Sequence, residues 1–69
     1  MKQRIVKEIA QHRQDGQTVA ELHLWSQAAI DAITKSAEYS NDSFNGIPVV
    51  LLDPATQVAG MDFIVIVEG

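Results

Sequence analysis

The chain of 69 residues contains no cysteine, which excludes a disulfide framework, a thiolate metal site and a thiol nucleophile. It also lacks a long hydrophobic run: no stretch of about eighteen apolar residues could span a bilayer, and there is no signal-peptide core. A membrane is therefore not an expected partner, and the cytoplasm is the expected compartment. Glycine is sparse, at four residues, and no glycine-rich phosphate loop can be found. Ser26, Ser36, Ser40 and Ser43 lie in no nucleophile-elbow context. Basic charge is scarce beyond the first segment. Lys2, Arg4, Lys7 and Arg13 face a single acid, Glu8, in the first thirteen residues, after which Lys35 stands alone against eight carboxylates. Any nucleic-acid surface would have to be that basic segment, and a solvated helix face explains the same four side chains.

What is present is hydrophobic pattern. A chain this short buries only about 60% of its unfolded surface, so one domain over residues 1–69 is the ceiling and packing alone must stabilise it. In residues 2–14, Ile5, Val6, Ile9 and Ala10 recur at helical spacing, and Asp15-Gly16 supplies a stop. Residues 27–38 read as a second helix, with Ser26 as N-cap and with Ala29, Ile30, Ile33 and Ala37 facing inward. Residues 18–25 read either as a short strand or as a short helix, because Thr18-Val19-Ala20-Glu21 has the form of a capping box while the apolar alternation is imperfect. Residues 40–46 concentrate Ser, Asn, Asp and Gly and read as a loop, with Asn45-Gly46 a strong turn pair.

Residues 47–52 and 62–68 are rich in β-branched side chains and too short for helices, so they are expected to be strands. Their proximity in sequence suggests a C-terminal antiparallel hairpin, giving an α+β fold of two helices packed on a small sheet dominated by that hairpin. Val49 to Leu52 and Phe63 to Val67 are apolar at every position, which implies burial on both faces. Two helices cover one face, so the second is expected to meet another chain, another copy, or the N-terminal segment folded around it. Trp25, Val49, Leu51, Phe63, Val65 and Val67 are the candidate interface residues. Asp62 and Glu68 flank the apolar window as gatekeepers.

Chemistry-bearing constellations are few. His12 and His23 have no second ligand at i+3 or i+4, and Asp31, Glu38, Asp42, Asp53 and Asp62 are scattered, so no catalytic, cofactor or metal site is expected. Asp53-Pro54 reads as a turn opening. Asn41-Asp42-Ser43 satisfies the glycosylation sequon, yet it reads as loop chemistry in a chain without a secretion signal. Trp25 suits either an interface anchor or a core position at the helix entry.

The order helix, short helix, Ser-capped helix, hairpin resembles a winged helix, but a DNA-reading helix needs basic and amide side chains, and residues 27–38 offer only Gln27 and Lys35 beside two acids. The segment 19–69 is similar to the C-terminal part, near the capsomer axis, of tailed-phage major capsid proteins. The carriers are "LHLWSQAAIDAI", then "FNGIPVVLLDP", and a final apolar strand ending in "VEG". The long helix and extended arm of that family are missing, so the resemblance implies a small phage or prophage protein holding only such a module. It further implies a strand at 19–25, a crossover helix at 27–38, and a strand at 47–52 that runs parallel to the first, with 62–68 antiparallel beside it. The expected function is a non-catalytic structural or protein-interaction module that self-associates through an apolar sheet surface, located in the cytoplasm or the virion. A nucleic-acid-binding regulator and an acidic inhibitor of a basic partner site are the alternatives.

Overall fold

The computed structural model describes residues 1–68, so Gly69, which closes the Val-Glu-Gly ending, lies outside the described residues. Helix α1 (Lys2–Gln14) forms where expected and buries Ile5 and Ile9, while Val6 and Ala10 remain exposed. Its end is a Schellman turn: Gln17 N–H donates to His12 C=O and Gly16 N–H to Arg13 C=O, with Gly16 at φ 82°. Glycine suits that left-handed position because a Cβ would be strained there.

The chain then enters strand β1 (Thr18–Leu24), so residues 18–25 resolve as strand. The imperfect alternation has a physical cause. Between Val19 and Glu21 the register with the last strand shifts, leaving Ala20 as a bulge residue, and the extra residue turns Val19 onto the same face as Leu22 and Leu24.

Helix α2 (Gln27–Thr34) starts at Ser26, whose buried Oγ accepts from Ala29 N–H at 3.1 Å. The helix expected over 27–38 stops early. Thr34 Oγ1 donates to Ile30 C=O and Ser36 Oγ to Ile33 C=O, so hydroxyls compete for the last-turn carbonyls. Ala29 and Ile33 are buried and Ile30 packs beside them, but Ala37 is exposed beyond the helix.

The segment expected as a loop is a meander. Strands β2 (Tyr39–Ser40) and β3 (Ser43–Phe44) are joined by Asn41-Asp42, with φ of 50° and 58°, and Asn45-Gly46, with φ of 50° and 81°, leads into β4 (Ile47–Leu51). Both are two-residue connections with the positive φ values that suit the right-handed twist of hairpin strands. After a 3₁₀ turn at Pro54–Thr56, strand β5 (Phe63–Glu68) completes the sheet.

The strand order is β2-β3-β4-β1-β5. β1 lies between β4 and β5, parallel to β4 through Leu22↔Val49 and Leu24↔Leu51, and antiparallel to β5 through Leu22↔Val65 and Leu24↔Phe63. The α+β architecture therefore holds, whereas the direct pairing of 47–52 with 62–68 does not: β1 sits between them, and no C-terminal hairpin forms. The parallel β1–β4 pair needs a crossover, supplied by α2 and the meander. Both helices pack on one sheet face. Ile5, Ile9, Ala29 and Ile33 join Leu22, Leu24, Phe44, Ile47 and Phe63 in a single buried cluster.

Candidate interaction surface

Side chains directly paired across a sheet point to the same face, which decides where each candidate residue lies. Val49 and Val65 flank Leu22 and pack against the core with it; Phe63, 9% exposed, flanks Leu24. Val67 pairs with Val19 on that face, and Leu51 faces Leu24 at the strand end, where it is 51% exposed. Five of the six candidate interface residues thus occupy the helix-covered side and belong to the core or its rim. The open side carries their neighbours: His23 stands between Val50 and Ile64, and Glu21 faces Ile66. Val50 is 36% exposed, while Leu52, Ile64 and Ile66 are half-buried. No helix among the described residues covers this face.

Trp25 lies outside the core cluster, as do Leu51 and Val67, but it alone of the six lies beyond the strands, between β1 and α2. Its backbone N–H, with that of Ser26, donates to Asp62 C=O. Its indole Nε1 donates to Asp53 C=O at 3.1 Å and Thr56 Oγ1 at 3.2 Å. Asp53 Oδ1 accepts from Ala55 N–H, so the acid does open a turn as its sequence context suggests. That turn and Trp25 close one end of the open face.

The histidines are engaged locally. His12 Nδ1 lies 2.6 Å from Gln17 Oε1, and His23 Nε2 lies 3.0 Å from Glu21 Oε1. The Glu21–His23 pair on the open face was missed in sequence because an i, i+2 pair shares a face only once residues 18–24 are known to be strand. No group of three or more His, Asp or Glu side chains among the described residues could hold a metal ion. No helix among them is long and apolar enough to cross a membrane.

Two of the four basic side chains of α1 clamp the helix to the acidic part of the chain. Lys2 Nζ donates to both carboxylate oxygens of Glu38 at 2.9 Å, which holds the Glu38 carboxyl below its ordinary range. Arg4 Nη1 donates to Asp62 Oδ2 at 3.1 Å and its guanidinium lies 5.4 Å from the Phe63 ring centre. Lys7 and Arg13 have no ion-pair partner among the described residues. Arg13 instead rims an apolar groove of about 280 Å³ between α1 and the β3–β4 turn, lined by Val6, Ile9, Phe44 and Ile47. At the meander tip, burial pushes the Tyr39 phenol up, assisted by its hydrogen bond to Asp42.

No described protein family, curated protein or solved structure matches this chain.

Proposed function

We propose that the chain is a non-catalytic protein-interaction module that self-associates through the uncovered sheet face. The observation that carries this reading is the row Val50, Leu52, Ile64 and Ile66 around His23, apolar surface on a face that neither helix protects. Contiguous exposed apolar surface on a small domain marks a contact site, because its removal from water stabilises association. The phage or prophage assignment rests on the likeness of residues 19–69 to tailed-phage major capsid proteins, carried by their sequence motifs. In the nucleic-acid alternative, Lys2 and Arg4 would have to leave Glu38 and Asp62 to reach phosphates, which weakens that reading.

Light scattering on the wild type across dilution and salt tests the proposal. A dimer or larger species that persists in high salt is the expected result, since apolar contact is not screened. The Ile66→Lys variant is expected to shift to the mass of one chain while keeping its fold. A wild type that stays monomeric throughout, or an Ile66→Lys variant with wild-type mass, sinks the face as the self-association surface.

A further inference from the structure

The two edges of the sheet are unlike. β2, at one edge, is two residues long and offers little to pair with, whereas β5, at the other, runs six residues and pairs only with β1 among the described residues. Natural sheets blunt a long edge with proline, lysine, a bulge or a covering element. β5, Phe-Ile-Val-Ile-Val-Glu, has no proline or lysine, and the bulge residue opposite it belongs to β1.

The hydrogen-bond pattern shows which backbone groups are left over. Asp62 C=O accepts from Trp25 and Ser26 and so points toward β1, while Leu24 C=O accepts from Leu52 and so points toward β4. Leu24↔Phe63 is therefore a non-hydrogen-bonded pair and His23↔Ile64 a hydrogen-bonded one. By alternation, Ile64 and Ile66 bond to β1, and Phe63, Val65 and Val67 aim their N–H and C=O groups out of the free edge.

Beside this edge lies a charged helix face. Arg4 reaches Asp62 and Phe63, and Lys7, Glu8 and Gln11 share its side of α1, lining one groove with it. The far end of α1 leads through Gly16 to Thr18, which pairs with Glu68, so α1 runs in the same direction as β5.

We infer that a second copy of this chain occupies the edge, through antiparallel pairing of β5 with its symmetry mate about a two-fold axis at Val65. In that register Val65 faces its own copy and Phe63 faces the partner's Val67, so every outward backbone group of these three residues gains a partner. The pairing extends the sheet and keeps all four helices on one side. It also sets the two α1 helices antiparallel across the axis, where Lys7 of each copy lies against Glu8 of the other. A strand edge and a helix face that are both self-complementary in one orientation fit a second copy better than an unrelated peptide. Where the ends meet, Asp62 stands opposite Glu68 of the mate, and Arg4 neutralises that carboxylate cluster. The inference rests on the self-association reading for the presence of a second copy, but it uses a different surface from the open face.

Amide hydrogen exchange, followed by NMR at concentrations bracketing the dimer transition, tests the edge directly. Protection of the Phe63, Val65 and Val67 amides is expected to appear only as the dimer forms, with Ile64 and Ile66 protected throughout. Charge reversal gives the second arm: Lys7→Glu and Glu8→Lys are each expected to weaken the dimer about tenfold, since both set like charges face to face, and the Lys7→Glu/Glu8→Lys double variant to recover it. Freely exchanging edge amides in a dimer, or single reversals without effect, overturn the edge pairing. If such a dimer is also broken by Ile66→Lys, the open-face reading survives alone; if edge amides are protected and Ile66→Lys keeps the dimer mass, the edge stands and the open face fails. A wild type that is monomeric at every concentration removes both.

Discussion

Ser26 sits where β1 hands over to α2, and its buried hydroxyl accepts from Ala29 N–H. Substitution by alanine leaves that amide without a partner in a site closed to water. Ser26→Ala is therefore expected to lower stability by about 1 kcal/mol, read as a fall in the urea midpoint at unchanged slope. A second residue-scale consequence concerns Glu38. Its carboxyl titrates lower in the folded chain than in the unfolded one, chiefly through the Lys2 hydrogen bonds. That contribution is fully present above the unfolded-state value and is lost as pH falls through the lowered folded-state value. Glu38→Gln should flatten the acid limb of the stability-versus-pH curve and leave the slope at neutral pH unchanged, as thermal melts across acidic buffers will show. Both partners of this pair are substantially exposed, so the effect is small and falls with added salt.

At the scale of elements, the bulge in β1 makes a sharper prediction. Because Ala20 is the extra residue, its deletion keeps Val19 facing inward and Thr18 opposite Glu68, while deletion of His23 flips every β1 side chain on one side of the gap to the wrong face. The Ala20 deletion is expected to retain a cooperative melt, and the His23 deletion to abolish it, as followed by circular dichroism. The same bulge explains why β1 was the least legible element: it breaks the period-2 pattern between Val19 and Glu21, and the Thr-Val-Ala-Glu spacing mimics a helix start. Elements with an uninterrupted signature, α1, the start of α2, β4 and β5, were readable because periodicity or β-branched runs continue along them. The two-residue strands of the meander are too short to carry any period, although Asn45-Gly46 marked their second turn. Pairing was the larger miss. Sequence proximity favours β4 against β5, yet β1 lies between them and buries Leu22 and Leu24 between Val49 and Leu51 on one side and Val65 and Phe63 on the other. The candidate surface was legible only as a statement that both faces are apolar. In a strand such as Phe63-Ile64-Val65-Ile66-Val67 nothing local decides which parity the helices cover; the odd-numbered residues expected at an interface face the helices, and the even-numbered ones lie on the open face.

Across the whole molecule this parity separates two substitutions of similar chemistry. Val65 packs against the core and Ile66 lies on the open face. Val65→Lys is expected to destabilise severely, because a charge would be taken out of water without a partner. Ile66→Lys should melt near the wild-type temperature, and a calorimetric comparison of the two variants checks the assignment without reference to any partner. A protomer that used both the open face and the β5 edge would carry two isologous contacts. Their axes either close into a dihedral tetramer or propagate into an open array, which is the behaviour required of a unit in an extended assembly.

The hydrogen bonds from the Trp25 indole to Asp53 C=O and Thr56 Oγ1 give the protein a built-in optical signal. Trp25 is the sole tryptophan, and it stands at the rim of the open face with its ring tied to a turn that follows β4. Its emission therefore comes from one known place. A shift to shorter wavelength on raising concentration reports water leaving that rim, and a gain in anisotropy without such a shift reports assembly elsewhere on the molecule.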